Sequence, residues 1–92
     1  MIKSWANTAT RQILETGKCK FSGLDVAKAQ TRLAQVDAMA ALDELSPLKS
    51  LGLHKLKGAR REFWSITIHA GWRVIFRFKD GDAYDVEVID YH

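Results

Sequence analysis

Apolar residues in this chain change from helical to strand periodicity near its midpoint. Between Ser22 and Leu45 they recur at Val26, Ala29, Leu33, Val36 and Ala40, in steps of three and four that lay one apolar stripe along a helix. Ser22 to Asp25 reads S-x-x-D, a capping signal for its start. Pro47 predicts an end near Leu45, because the residue before a proline is pushed out of helical geometry. A shorter helix is expected from a cap at Asn7 or Thr8 to about Thr16, with Ile13 and Leu14 turned inward and Gly17 as its stop. Ile2 to Trp5 alternates and fits either an edge strand or a lead-in to that helix.

Beyond Pro47 the period is two, and four strands are expected: Leu53 to Lys57, Phe63 to His69, Trp72 to Phe78 and Ala83 to Ile89. In the second, Trp64, Ile66 and Ile68 share the apolar face, with Phe63, Ser65, Thr67 and His69 opposite. In the third, Trp72, Val74, Phe76 and Phe78 face the core while Arg73, Ile75 and Arg77 face away; in the fourth, Tyr84, Val86 and Val88 share the apolar parity. Ala70-Gly71 and Asp80-Gly81 supply two-residue hairpin turns, the second a favoured type I′ pair. The predicted fold class is therefore α+β, with N-terminal helices packed on one side of an antiparallel sheet of about four strands. With no repeat, low-complexity linker or composition break, residues 1–92 are read as one domain.

Charge distribution adds what the net value of +3 does not. From Lys49 to Arg61 there are five basic residues (Lys49, Lys55, Lys57, Arg60 and Arg61) and no acidic one. From Asp80 to His92 there are five acidic residues and no Lys or Arg. The two runs read either as solvated faces attracting each other across neighbouring strands, or as a basic cleft for a phosphate backbone with an acidic or hydroxyl group at its edge. Nothing approaches the roughly 18 apolar residues of a membrane span, and no secretory segment follows Met1, so a cytoplasmic protein without a membrane partner is expected. The single Cys19, between two lysines, is read as incidental.

His54, His69 and His92 form no H-x-H or H-x-x-x-H pair and have no cysteine beside them, which argues against a metal site. A glycine-rich phosphate loop and a G-x-S-x-G elbow are also missing, and no cofactor is expected. RNA supplies its own nucleophile, the 2′-hydroxyl. Its cleavage needs a base, an acid and cations for the charge that develops on the phosphate. The residue types are present: His54 and His92 as imidazoles, Asp90 as a further possible base, Lys57 and Arg73 as cations, Tyr91 to stack on a base or donate its hydroxyl. Which is base and which is acid stays open at this point.

The run LHKLKGARREFWSITIHAGWRVIF, with DGDAYDVEVIDYH at the C-terminus and the MIKSW start, resembles the HigB toxins of the RelE superfamily. The family's H-x-L-K-G element falls on His54, Leu56, Lys57 and Gly58, its W-R element on Trp72 and Arg73, and its terminal D-Y-H on Asp90, Tyr91 and His92. The resemblance implies a RelE-like fold and a metal-independent mRNA endoribonuclease that works on the translating ribosome. It implies a HigA-type helix-turn-helix antitoxin as partner, with DNA reached only through that antitoxin. It also implies catalytic roles for His54, Lys57, Arg73, Asp90, Tyr91 and His92; Lys55, Arg60 and Arg61 are read from the acid-free basic run as RNA contacts. One departure stands out: many relatives carry W-S-I-R-I-N where this chain has Trp64 to His69, so Thr67 replaces an arginine and His69 an asparagine. That loss keeps a second reading open, a module that binds RNA or an acidic partner in the same cleft without cutting. Regular continuation of the last strand would aim Asp90 at the core, so the strand is expected to end or twist near Ile89 and to deliver Asp90, Tyr91 and His92 to the cleft edge.

Overall fold

The computed structural model describes residues 1–45 and 51–90. Pro47, Lys49, Tyr91 and His92, each used above, lie outside the described residues. Helix α1 (Thr8–Thr16) is capped by the Asn7 side chain, which accepts from the Thr10 N–H, and is stopped by Gly17 at φ 76°. Helix α2 (Val26–Ala38) is capped by Asp25 itself, whose carboxylate accepts from the Lys28 N–H. Its end falls well short of Leu45. Met39 is already extended, and the Glu44 carboxylate accepts from the amides of Ala40 and Ala41 at 2.7 and 2.8 Å, groups a longer helix would have paired. Met39 is consequently buried and Ala40 exposed, reversing the expected end of the stripe.

Four strands form one antiparallel sheet in sequence order: β1 (His54–Lys55), β2 (Phe63–His69), β3 (Trp72–Lys79) and β4 (Asp82–Asp90). The α+β expectation of two helices on a four-stranded antiparallel sheet holds. The helices cover one face, where Ile13, Ala29, Leu33 and Val36 meet Ile66, Val74, Phe76, Val86 and Val88 in one buried cluster. Thr10 fastens α1 to that layer, its wholly buried Oγ1 accepting from the Val88 N–H. Trp64, expected in the core, is half-buried at its margin with the Lys55 ammonium 5.8 Å from its ring centre.

Two bulges change the expected facing. In β2 the register shifts between Thr67 and His69, so His69 pairs with Trp72 and turns to the helix side. There its Nε2 accepts the Asp25 N–H at 2.8 Å, which ties the start of α2 to the sheet. In β4, Asp85 at φ 53° marks the second shift. Ala83, Val86 and Val88 therefore face the core, and Tyr84, paired with Arg77, sits on the outer face instead. Strict alternation assigns both residues wrongly because one extra residue reverses every later facing.

Ile2 to Trp5 is neither a helix lead-in nor a full strand. Ile2 and Trp5 make isolated parallel bridges to Ala83 and Val86 along the free edge of β4. The basic and acidic runs do not attract across neighbouring strands either, since β1 and β4 are the two opposite edges of the sheet.

Candidate active site

The face of the sheet turned away from the helices carries the expected chemistry in register. His54 pairs with Ser65, Ser65 with Ile75, and Ile75 with Glu87, so these four share one row across all four strands. The next row on the same face is Thr67, Arg73 and Ile89. With strands about 4.8 Å apart and a two-residue offset, the His54 and Arg73 backbones stand roughly 12 Å from each other.

The His54 ring is held at one end. Its Nδ1 lies 2.8 Å from the carbonyl of Gly52, and a carbonyl only accepts, so Nδ1 carries the proton. In the neutral ring Nε2 is then the bare nitrogen on an exposed residue. Arg73 is half-buried and bent back over the hairpin, its Nη1 donating to the carbonyls of Ala70 and Trp72 at 2.6 and 3.0 Å. This fixes the guanidinium plane and leaves Nε and Nη2 without a partner among the described residues, so that they can take an anion.

Lys57 precedes the 3-10 turn Gly58–Arg60, and Lys57, Arg60 and Arg61 are all exposed along that loop. Lys55 is separated from them. It pairs with Trp64 and so faces the helix side, opposite to His54. Asp90 corrects the expected strand end and its delivery to the cleft: β4 runs through it in register with Trp72, which puts it in the helix-side row, opposite to His54 and Arg73, where it is exposed at the end of the described sheet.

Two residues on this face were passed over in the sequence. Glu87 brings a carboxylate into the His54 row, hidden by its place in a run of five acids. Gly52 supplies the carbonyl that orients His54, and its signal was an isolated glycine interrupting an apolar run two positions before a histidine. Ser65, between His54 and Ile75, is wholly buried, with an Oγ that has no hydrogen-bond partner among the described residues.

Residues 4–92 match the family model described as HigB-like toxin, RelE-like toxin of the type II toxin-antitoxin system HigB. Over 93 aligned residues covering all of both chains, the sequence is 39% identical to a Proteus vulgaris protein named Endoribonuclease HigB.

Proposed function

The chain belongs to the HigB-like family of RelE-like toxins of type II toxin-antitoxin systems, and from that membership we propose that it is an endoribonuclease toxin that cuts mRNA on the translating ribosome. His54 Nε2 takes the proton of a 2′-hydroxyl. The 2′-oxygen attacks the adjacent phosphorus, the bond to the 5′-oxygen breaks, and a proton passes to that oxygen from Tyr91 or His92, while Asp90, in the helix-side row, acts only from around the end of the sheet. A 2′,3′-cyclic phosphate and a 5′-hydroxyl are left. Lys57 and Arg73 meet the charge that builds on the phosphate oxygens, and Arg60 and Arg61 hold the flanking backbone. Lys55, across the β1 edge, contributes at most to the periphery of that contact.

The observation that carries this reading is the His54 ring, clamped through Nδ1 with Nε2 bare, on the same outer face as Arg73. Thr67 in place of an arginine leaves Arg73 as the cation of its row, and substrate orientation then falls to the ribosome. A HigA-type helix-turn-helix antitoxin keeps the toxin silent and is its route to DNA. The cytoplasm, where ribosomes translate, is its place of action. Among the described residues no helix is long and apolar enough to cross a membrane.

Induction in cells followed by mapping of mRNA 5′ ends tests the proposal. New 5′-hydroxyl ends should appear within translated frames, and His54→Gln or His92→Gln should remove them. Purified protein should leave naked RNA largely intact. Growth arrest without new ends would favour the binding module that does not cut.

A further inference from the structure

Gly52 lies beyond β1, yet its position continues the β1 register. His54 pairs with Ser65, and counting two residues outward on each strand sets Gly52 opposite Thr67. The backbone there is left-handed at φ 57°, a conformation glycine adopts freely and other residues at a cost of about 1 to 2 kcal/mol. The packing is equally close. A Cβ placed on Gly52 would stand 3.1 Å from Thr67 Oγ1, tighter than an ordinary van der Waals contact. Thr67 is itself held from the other side of the sheet, where the bulge leaves its carbonyl to accept from Arg32 Nε of α2 at 3.0 Å.

We propose that Gly52 and Thr67 are positioning residues for His54. Thr67 is a fixed wall, Gly52 is the one residue small and pliable enough to lie against it, and the Gly52 carbonyl so placed selects the Nδ1–H tautomer of the imidazole. The position where this chain departs from the W-S-I-R-I-N pattern thus acts on the base through shape instead of charge. Neither residue touches the reacting atoms. The inference rests on the reading of His54 as the base, and the experiment separates the two.

Nitrogen-15 spectra of the imidazoles report the tautomer directly, with the His54 signal identified by its loss in His54→Gln. The wild-type chain should show His54 as a single Nδ1–H tautomer when neutral. Gly52→Ala should convert it to a mixture and lower kcat for mRNA cleavage on ribosomes about tenfold or more, with a much smaller change in KM. Thr67→Val, which keeps the shape, should leave both unchanged. The double variant Gly52→Ala with Thr67→Ala carries the same backbone strain as Gly52→Ala but lacks the wall, so it should recover part of the tautomer preference and of kcat. If Gly52→Ala left the tautomer intact, or the double variant recovered nothing, the positioning role would be overturned. Should Gly52→Ala fail to fold, Thr67→Ala alone decides, because removing the wall should still broaden the His54 tautomer distribution. If His54→Gln kept full activity while the tautomer responded as described, His54 would lose its catalytic role and the positioning contact would stand.

Discussion

At the β4 edge the N-terminal residues close the sheet: Lys3 and Ala6 donate to the carbonyls of Ala83 and Val86, and Met1 and Ser4 accept from their amides. At the β1 edge only His54 and Lys55 pair, after which the chain leaves the sheet in a loop bearing Lys57, Arg60 and Arg61. Charge follows the same division. Asp85 holds Arg77 at 2.8 Å and Asp82 faces the terminal ammonium at 3.5 Å, whereas Lys57, Arg60 and Arg61 enter no ion pair among the described residues. The same sheet is thus sealed and neutralised along one border and open and cationic along the other. A short, strongly charged edge resists strand-to-strand aggregation, and here it also offers its charge to an anion.

Removing residues 1–5 should produce the largest change. Three backbone hydrogen bonds go, at about 1 kcal/mol each, together with the packing of Ile2 and Trp5, so stability should fall by roughly 3 kcal/mol or more. The uncovered β4 edge should then self-associate. Urea denaturation and sedimentation would measure both, and an unchanged midpoint would show that the closure is decorative.

Changing Lys57, Arg60 and Arg61 together to Ala should do the reverse, leaving the fold intact and weakening the partner. Each lost phosphate contact should lower the salt slope of ribosome or RNA binding by about 0.7. A slope equal to that of the wild type would remove the loop from the interface.

Ser65→Ala probes the boundary between the two edges. Its hydroxyl is buried with no partner among the described residues, a condition that costs about 1 to 3 kcal/mol, so the variant should be as stable as the wild type or more so by about 1 kcal/mol. A clear loss of stability would mean that the hydroxyl is satisfied in solution. The smallest effect is expected at the β2–β3 turn, where Ala70 holds φ 48°. Ala70→Gly should relieve that strain and raise the thermal midpoint modestly, by the equivalent of about 1 kcal/mol or less.

Local signals in the sequence were sufficient for most of the architecture. Asn7 and Gly17 bracket α1, Asp80 and Gly81 close the last hairpin with φ of 52° and 83°, and alternation from Phe63 to Thr67 and from Trp72 to Phe76 marks the face turned to the helices, although Ser65 and Ile75 on the other face are buried as well. Each depends on one residue's conformational preference or on a period within a single strand, and such information travels with the chain. His54, Lys57 and Arg73 were singled out differently, by residue type and by the resemblance of the H-x-L-K-G and W-R elements to a known family. Tertiary structure alone decided where a period is interrupted. The bulges beside Ile68 and at Asp85 arise from pairing between strands, and they send His69 to the Asp25 amide and Tyr84 to the outer face. The end of α2 turned on Glu44 capturing two amides, and the face of Lys55 on its partner Trp64. The orientation of His54 belongs to this second group: its Nδ1 meets the Gly52 carbonyl, and a side chain at Gly52 would run into Thr67 on another strand, a closeness that arises only once β1 has docked on β2.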